Sequence, residues 1–207
     1  MSLAFEDVLG VRDAFDGVTM AGRTDSWILA DAMALHGIGD DSTLTRFHDV
    51  YLGRLADEIQ KPGDSRKGIM PGILALLDAL VDRDDVYLAL LTGNFEAAAR
   101  IKLEYFDLWR YFRCGAFGDA APDRNGLLPR AVSTVAACGG PVFAAPEAVV
   151  IGDTPLDVTC AKFSGARSIA VATGLHGVDE LRAAGADVVF EDLRDTARVL
   201  GALGIAP

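Results

Sequence analysis

Residues 148–157 read Ala-Val-Val-Ile-Gly-Asp-Thr-Pro-Leu-Asp, and this stretch decides how the chain is expected to fold. A short apolar run that ends at a glycine is typical of a strand buried on both faces. Thr154 is a good helix N-cap and Pro155 suits the first helical position, so a helix should follow the strand. Asp157 falls in the first turn of that helix, where the helix dipole favours an anion. The stretch therefore predicts a strand–turn–helix unit of the parallel α/β type.

Two carboxylates, Asp153 and Asp157, come together in this turn. Open α/β sheets bind their ligands at the carboxyl ends of the strands. Oxygen ligands on a rigid turn suit a hard divalent cation, so the pair predicts a Mg²⁺ site. The alternative interpretation is that Asp153 only caps the helix and Asp157 lies in solvent. The position at the end of a buried strand favours the metal site.

The composition is that of an ordinary soluble globular protein of 207 residues, with 51% hydrophobic and 24% charged residues. The net charge of −11 argues against nucleic acid or an anionic membrane surface as a partner. No apolar run approaches the length that spans a membrane, and the amino terminus lacks the basic region of a secretory signal. The three cysteines are widely spaced and form no Cys-x-x-Cys pair, which fits reduced thiols. These features predict a cytoplasmic protein.

The chain changes character near residue 70. Residues 4–65 carry apolar residues at helical spacing and no convincing strand, and they end in a polar linker with Pro and Gly. From residue 71 onward, short apolar runs such as 86–91 alternate with single amphipathic helices. This alternation predicts a parallel sheet with helices on both faces. We therefore expect a small helical domain over 4–65 and an α/β domain over 71–207.

A second polar turn follows the predicted strand at 86–91 and reads Thr92-Gly93-Asn94. Thr92 presents a hydroxyl at the tip of the strand, and Gly93 lets backbone N–H groups approach a ligand closely. Beside a helix N-terminus, these residues are suited to hold one oxygen of a phosphate. The alternative is that Thr92 and Asn94 only cap the next helix, and the turn by itself does not separate the two interpretations.

The two turns resemble those of the haloacid dehalogenase-like hydrolases, and within that superfamily the phosphoglycolate-phosphatase-like members with an α-helical cap. The resemblance covers nearly the whole chain and is carried by the motifs Leu91-Thr92-Gly93-Asn94, Gly152-Asp153-Thr154-Pro155-Leu156-Asp157, Ser164-Gly165-Ala166, Pro71-Gly72 and Gly22-Arg23-Thr24. It implies a Rossmann-like core over 71–207, a helical cap over 4–65, and Mg²⁺-dependent hydrolysis of small phosphate esters. The implied partner is a small phosphorylated metabolite, and the sequence does not distinguish a monomer from a homodimer.

The resemblance also implies roles for individual residues. Thr92 corresponds to the hydroxyl that binds phosphate after the second core strand, with Gly93 and Asn94 in the same turn contacting the substrate. Asp153 corresponds to a Mg²⁺ ligand, and Asp157 to its supporting acidic partner.

The positive charge that neutralises the phosphoryl group is harder to place. Residues 119–125 stand where the family carries a Lys-Pro motif, yet this loop contains no lysine. Arg124 is the candidate, and an exposed loop arginine is the alternative. Arg23 would reach the substrate from the cap, with a surface ion pair as its alternative. Lys102 lies among charged neighbours in a predicted helix and is expected on a solvated face.

The chain departs from the family at the position of the nucleophile. Members use an aspartate in an Asp-x-Asp-x-Thr motif at the end of the first core strand, and this sequence has no such motif and no strand before the first cap helix. The nearest imitation, residues 13–19, has the wrong spacing, which makes Asp16 a poor candidate. Because the missing strand is central in the family's sheet, its neighbours would keep unpaired backbone groups. Either the protein continues upstream of Met1, or another segment or chain fills the gap, or the core is rearranged.

Two functional hypotheses follow. The first is a phosphoric monoester hydrolase, although without the nucleophilic segment ordinary catalysis is not expected from this chain. The second is a non-catalytic relative that binds phosphate, metal, or a partner protein through the open sheet edge. An unrelated nucleotide-binding domain is disfavoured because no Gly-x-Gly-x-x-Gly or P-loop motif is present, and a serine hydrolase because no Gly-x-Ser-x-Gly turn is present.

Overall fold

The computed structural model describes residues 1–38, 41–62, 68–119 and 123–206. Within these residues, the α-helices are α1 (Ser2–Leu9), α2 (Asp25–Leu35), α3 (Asp41–Gln60), α4 (Ile73–Val81), α5 (Glu96–Tyr105), α6 (Leu127–Ala137), α7 (Pro155–Phe163), α8 (Val178–Ala183) and α9 (Thr196–Leu203). The strands are β1 (Leu90–Leu91), β2 (Gly115–Ala116), β3 (Val149–Gly152), β4 (Arg167–Val171) and β5 (Val188–Phe190). No helix in the described ranges is long and apolar enough to cross a membrane. The end of the expected linker, residues 63–65, and residues 120–122 of the loop at 119–125 lie outside the described residues.

The first three helices pack around an aromatic core. Phe5 of α1 and Phe47 of α3 are fully buried, and their rings meet edge to face with 5.9 Å between centroids. Tyr51 of α3 packs edge to face against Phe95, the residue that precedes α5, at 6.2 Å. Phe95 and Ala98 belong to the same buried cluster as the three helices. The helical segment is therefore held against the start of α5 in the α/β part of the chain.

Every strand pair that the described residues form is parallel. β3, β4 and β5 lie side by side in that order, with Val149 opposite Arg167 and Ile169 opposite Val188. β1 pairs with β2, with Leu90 opposite Gly115. A helix connects each strand to the next along the chain, as the alternating pattern predicts. The predicted parallel α/β class is confirmed.

The strands form two separate sheets instead of one. β1 and β2 make a two-stranded sheet, and β3 to β5 make a three-stranded sheet. Between β1 and β3 lies an apolar cavity of about 730 Å³, lined on one side by residues 85–91 and on the other by residues 147–151. The strand expected at 86–91 is regular only over its last two residues, because its pairing with β2 reaches no further and its other edge faces the cavity.

The stretch at 148–157 adopts the predicted strand–turn–helix. The expectation that the strand is buried on both faces is wrong, because Ile151, which lines the apolar cavity, is 39% exposed. β3 ends at Gly152 and α7 begins at Pro155. Thr154 and Asp157 cap α7 reciprocally: the Thr154 N–H donates to the Asp157 carboxylate at 3.0 Å, and the Asp157 N–H donates to the Thr154 hydroxyl oxygen at 3.4 Å. Since the carboxyl ends of parallel strands are the places where ligands bind, the turns after β1 and β3 mark the candidate site.

Candidate active site

A polar cleft of about 480 Å³ lies where β1 and β3 end. Its lining includes six of the seven site residues expected from the sequence, namely Arg23, Thr92, Gly93, Asn94, Arg124 and Asp153. The seventh, Asp157, lies behind the lining against Arg124. The seven residues come from four separate segments of the chain, so the tertiary fold brings them together.

Thr92 holds the shape of the turn at the end of β1. Its N–H donates to the Ala116 carbonyl at 3.0 Å, which extends the pairing of β1 and β2 by one residue. Its hydroxyl oxygen accepts from the Asn94 N–H at 3.2 Å. This bond lies within the turn, before the N-cap of α5 at Phe95, so Thr92 does not cap the helix; the hydroxyl keeps its proton for donation into the cleft. One side chain can thus stabilise the turn and bind an anion.

Gly93 is the point at which the helical segment touches the turn after β1. A Cβ atom at this position would lie 2.3 Å from the Arg23 carbonyl oxygen. The Gly93 carbonyl accepts from the Asp25 N–H at 2.6 Å. The glycine is therefore required by the close approach of two backbones, which is a different reason from the ligand contact suggested by the sequence. This contact anchors the helical segment beside the cleft.

Asp25 is a cleft residue that sequence reasoning missed. It is only 5% exposed, and its carboxylate accepts from the Phe95 N–H at 2.9 Å and from Asn94 Nδ2 at 3.4 Å. Burial raises its pKa, and the hydrogen bond from Phe95 opposes that rise. The carboxylate satisfies an N–H group at the start of α5, where the helix itself offers no acceptor. From the sequence alone, Asp25 is recognisable only as an acidic residue in the first turn of α2, where it interacts favourably with the helix dipole.

Lys102 also lines the cleft, and the solvated position expected for it is wrong. Its Nζ donates to Asn94 Oδ1 at 2.8 Å. Burial lowers the pKa of Lys102, and the negative charge of Asp25 opposes that shift. Lys102 follows the buried Ala98 by four residues, so both point to the same face of α5. That spacing is the signal in the sequence that would have located it.

Asp153 faces the cleft from the turn after β3. Partial burial of its carboxyl raises its pKa, and the negative charge of Asp157 raises it further. The carboxylate has room because residue 174 is a glycine: a Cβ atom there would lie 2.2 Å from Asp153 Oδ2. Gly174, on the turn after β4, therefore shapes this part of the site.

Asp157 and Arg124 form an ion pair at the back of the cleft. Asp157 is 3% exposed and accepts from the Thr154 N–H at 3.0 Å, from the Thr154 hydroxyl at 2.9 Å, and from Arg124 Nη2. Its oxygens are already engaged, so it is placed to support the site from behind. Arg124 has a side chain that is 13% exposed, with Nε buried and unpartnered among the described residues. The alternative of an exposed loop arginine is therefore wrong.

Arg23 combines the two interpretations proposed for it, since it lines the cleft and also forms an ion pair. Its Nη2 donates to Asp31 Oδ2 at 2.7 Å, and its Nη1 donates to the Thr19 carbonyl at 3.0 Å. The guanidinium lies 3.8 Å from the centre of the Trp27 ring. These contacts hold a cation in a defined position at the rim of the cleft.

Asp16, the poor candidate for a nucleophile, lies in an exposed turn. Its N–H donates to the Asp13 carbonyl at 2.9 Å, which closes the turn. The described residues that line the cleft do not include it. This position agrees with the rejection of residues 13–19 as a catalytic motif.

The charges of the cleft suit a phosphoryl group. Arg23, Lys102 and Arg124 are cations near the Thr92 hydroxyl, and a phosphate monoester carries about two negative charges near neutral pH. Mg²⁺ is commonly bound by one or two carboxylates together with phosphate oxygens and water, a role that Asp153 fits. Within the described ranges, no three His, Cys, Asp or Glu side chains are grouped to hold a metal by themselves. The donor set therefore fits Mg²⁺ in company with a bound phosphate.

Comparison with known proteins leads to hydrolases of one superfamily. A family model described as HAD-hydrolase-like matches residues 126–196. The phosphoglycolate phosphatase of Rhodospirillum rubrum is 28% identical over 198 residues, which is 95% of this chain and 80% of that protein. The probable phosphatase IndB of Dickeya dadantii is 32% identical over 149 residues, which is 70% of this chain and 59% of that protein.

Solved structures extend the similarity to the fold. A crystal structure described as a predicted phosphoglycolate phosphatase from Haemophilus somnus superposes with a TM-score of 0.65. The match covers 96% of this chain and 87% of that chain, at 16% identity. At this level of identity the likeness concerns the fold alone, and it supports the expected Rossmann-like core with a helical cap.

Proposed function

We propose that this chain, which belongs to the haloacid dehalogenase-like hydrolases, binds the phosphoryl group of a small phosphate ester in the cleft at the ends of β1 and β3. The observation that carries the proposal is the convergence of Thr92, Lys102 and Arg124 on one cleft that also contains Asp153. Two cations and a hydroxyl are suited to neutralise and orient phosphate oxygens, and the carboxylate beside them is suited to a metal. The two relatives carry the name of phosphatases, which supports the same class of substrate.

Each residue of the cleft has its own part in the proposed binding. The Thr92 hydroxyl donates to one phosphoryl oxygen, and Lys102 and Arg124 neutralise the charge of the others. Asn94 positions Lys102 through the bond of 2.8 Å to Nζ, and Gly93 keeps the turn in contact with the helical segment. Arg23, held by its ion pair, contacts the rest of the substrate from the helical side.

Mg²⁺ is the proposed cofactor and Asp153 its proposed ligand. Asp157 lies behind the cleft, where it accepts a hydrogen bond from Thr154 of the turn and pairs with Arg124. When bound, Mg²⁺ supplies positive charge that stabilises the phosphoryl oxygens. Because the pKa of Asp153 is raised, a proton competes with the metal at acidic pH. Metal affinity is therefore expected to increase as the pH rises through that pKa.

A second candidate function is phosphate binding without turnover. It is favoured because both carboxylates that line the cleft among the described residues, Asp25 and Asp153, have other roles than that of a nucleophile. Hydrolysis in this family needs an aspartate nucleophile. Among the described residues that line the cleft, Asp25 is engaged by Phe95 and Asn94, and Asp153 is the proposed metal ligand. Both candidate functions use the same phosphate site and differ only in the chemical step.

Residues 4–65 are the proposed cap and residues 71–207 the proposed core of this site. The hydrogen bond from the Asp25 N–H to the Gly93 carbonyl joins the two parts at the cleft. The proposed location is the cytoplasm, in keeping with the three cysteines, none of which forms a disulfide in the described residues.

The binding test is calorimetric titration of the 207-residue chain with inorganic phosphate, with Mg²⁺ and with a chelator. Thr92→Val keeps the shape of the side chain, removes the hydroxyl, and should weaken phosphate binding about tenfold, since a hydrogen bond to a charged group contributes about 1.5 kcal/mol or more. Asp153→Asn should remove the dependence on Mg²⁺. Lys61→Met is the matched control, because Lys61 is an exposed lysine paired with Glu58. An unaltered chain that does not bind phosphate would overturn the proposal.

Hydrolysis of an aryl phosphate separates the two candidate functions. Turnover that requires Mg²⁺ and is lost in Asp153→Asn supports the phosphatase. Phosphate binding without turnover supports the non-catalytic relative.

A further inference from the structure

Two of the three cysteines meet beside the two-stranded sheet. Cys114 directly precedes β2, and Cys138 is the residue that ends α6. Their wide spacing in the sequence gives no sign of a pair. In the fold, Ala116 of β2 and Ala131 of α6 belong to one buried cluster, so the helix packs against the strand. A helix that follows a strand in a parallel α/β fold runs back against the direction of the strand, which brings the end of α6 near the start of β2.

Tyr87 packs against both segments that carry these cysteines. Its hydroxyl lies 3.7 Å from Cys114 Sγ. A Cβ atom on Gly140, two residues after Cys138, would lie 2.6 Å from Tyr87 Cε2, so this backbone packs on the same ring. The Cys114 thiol also makes a side-chain hydrogen bond with Cys138. The backbone of Cys138 is itself held in place, because its N–H donates to the Thr134 carbonyl at 2.9 Å.

Two neighbouring thiols can take part in a metal site or in a disulfide. A thiolate metal site needs further ligands, commonly four in total. Within the described ranges, no three His, Cys, Asp or Glu side chains are grouped to supply such a set. A disulfide needs only two cysteines on segments that lie side by side. The chemistry that this pair supports is therefore the formation of a disulfide.

The two thiols differ in how easily a reagent reaches them. Cys138 is exposed, whereas Cys114 is only half-buried and lies against Tyr87. Burial raises the pKa of Cys114, and the hydrogen bond from the Tyr87 hydroxyl opposes that rise. Cys138 is therefore the thiol that reacts first with a reagent in solution, and Cys114 the thiol that reacts second, with Cys138. Cys160 is fully buried in another cluster, with Leu128, and takes no part.

We propose that Cys114 and Cys138 are a reversible redox pair, which a small-molecule disulfide such as oxidised glutathione converts into a disulfide bond. The Cys138 thiolate attacks one sulfur of the glutathione disulfide, releases one glutathione thiolate and keeps the other glutathione in a mixed disulfide. The Cys114 thiolate then attacks the Cys138 sulfur, forms the bond within the chain and releases the second glutathione thiolate. The two cysteines lose two electrons and two protons, and the two glutathione thiols gain them.

The bond fastens the two-stranded sheet to α6. It closes residues 114–138, which include β2 and α6, into a covalent ring. The Cys114 carbonyl accepts from the Leu90 N–H of β1 at 2.9 Å, so the bond holds β2 at the start of its pairing with β1. A cross-link reduces the conformational freedom of the unfolded chain, and the oxidised protein should therefore be the more stable form. The inference rests on the contacts of the two thiols and does not depend on phosphate binding.

The test treats the folded 207-residue chain with oxidised glutathione, then unfolds it, alkylates the remaining thiols and measures its mass. We expect the loss of two hydrogen atoms and a single alkylated thiol, Cys160. Digestion with trypsin and fragmentation of the linked peptides should place the bond between Cys114 and Cys138, and a thiol reductant should reverse it. Three free thiols, a bond to Cys160, a dimer linked through Cys138, or glutathione that stays on Cys138 while Cys114 remains free would each overturn the proposal.

Two serine variants and a melting curve complete the test. Cys114→Ser removes the second thiol and should trap glutathione on Cys138, whereas Cys138→Ser should form no bond within the chain. The oxidised chain should melt about 5–10 °C above the reduced chain, and neither variant should show this gain. A bond that forms but lowers the melting temperature would show that the fold does not hold the two thiols in bonding position, and it would overturn the proposal.

Discussion

Replacing Lys102 by methionine should weaken phosphate binding about 10- to 150-fold. Methionine keeps the apolar stem of the side chain and removes its charge. Nζ is already held by the bond of 2.8 Å to Asn94 Oδ1, so little ordering is needed for it to bind phosphate. A hydrogen bond to a charged group contributes about 1.5–3 kcal/mol, and each 1.4 kcal/mol is a factor of ten in affinity.

The same variant should keep the fold and relieve a cost of burying the charge. Burial lowers the pKa of Lys102 below its usual 10.5, so the folded state holds this proton less tightly than the unfolded state. For such a base, the destabilisation is fully present below the folded pKa and disappears as the pH rises through the unfolded value near 10.5. Lys102→Met should therefore melt at the same or a higher temperature than the unaltered chain near neutral pH, and the difference should shrink toward alkaline pH.

The assay is calorimetric titration with inorganic phosphate near neutral pH, combined with melting curves across the alkaline range. Lys61→Met, at an exposed position just after α3, should change neither quantity. A change of less than about twofold in phosphate affinity would refute the reasoning that Lys102 supplies charge to the site. A loss of affinity that comes with a large fall in melting temperature would show that Lys102 is needed for folding instead.

Three other predictions concern the contacts that build the site and the sheet. Gly93→Ala should destabilise the fold by about 1–3 kcal/mol in urea unfolding, because the new Cβ would lie 2.3 Å from the Arg23 carbonyl oxygen; Gly201→Ala, with nothing within 4 Å of the added atom, is its control. Thr154→Ala removes the N-cap of α7 and should cost about 1 kcal/mol, and an unchanged urea midpoint would contradict the capping role. Hydrogen bonds from the Ser168 N–H and hydroxyl lower the pKa of Asp187 below 3.8, so their contribution is present above that pH and is lost as the pH falls through the folded pKa. Asp187→Asn should therefore melt below the unaltered chain near neutral pH and converge with it in strong acid, and a gap that persists in acid would contradict this account.

The strand–turn–helix at 148–157 is determined almost entirely by its own residues. The apolar run forms β3, Thr154 caps α7 and Pro155 occupies its first position, as predicted. These outcomes depend on backbone preferences and on hydrogen bonds that span three residues, so the local sequence is sufficient. The alternation of such units likewise predicts the parallel α/β class, because parallel strands need a crossover between them.

The length of β1 shows where local patterns stop being informative. Residues 86–91 have the composition of a buried strand, yet only Leu90 and Leu91 form one. A strand is regular only where a neighbour completes its hydrogen bonds, and on the side of the apolar cavity none of the described strands pairs with β1. Sequence reasoning identified the gap in the sheet through a family resemblance, but the apolar cavity and the residues that line it come from the structure.

The sequence by itself determined the polar turns after two strands and the residues that they carry, because a turn and its cap are set by neighbours along the chain. Only the tertiary structure decided that Asp25 joins Asn94 in the same cleft, and that Gly93 is needed for contact with Arg23. These groups are far apart in sequence. The pKa of an ionisable group among them depends on its burial and on the neighbours that packing places beside it. The local chemistry of the site can thus be predicted from the amino acids, whereas its electrostatics exist only once the helices and strands have packed.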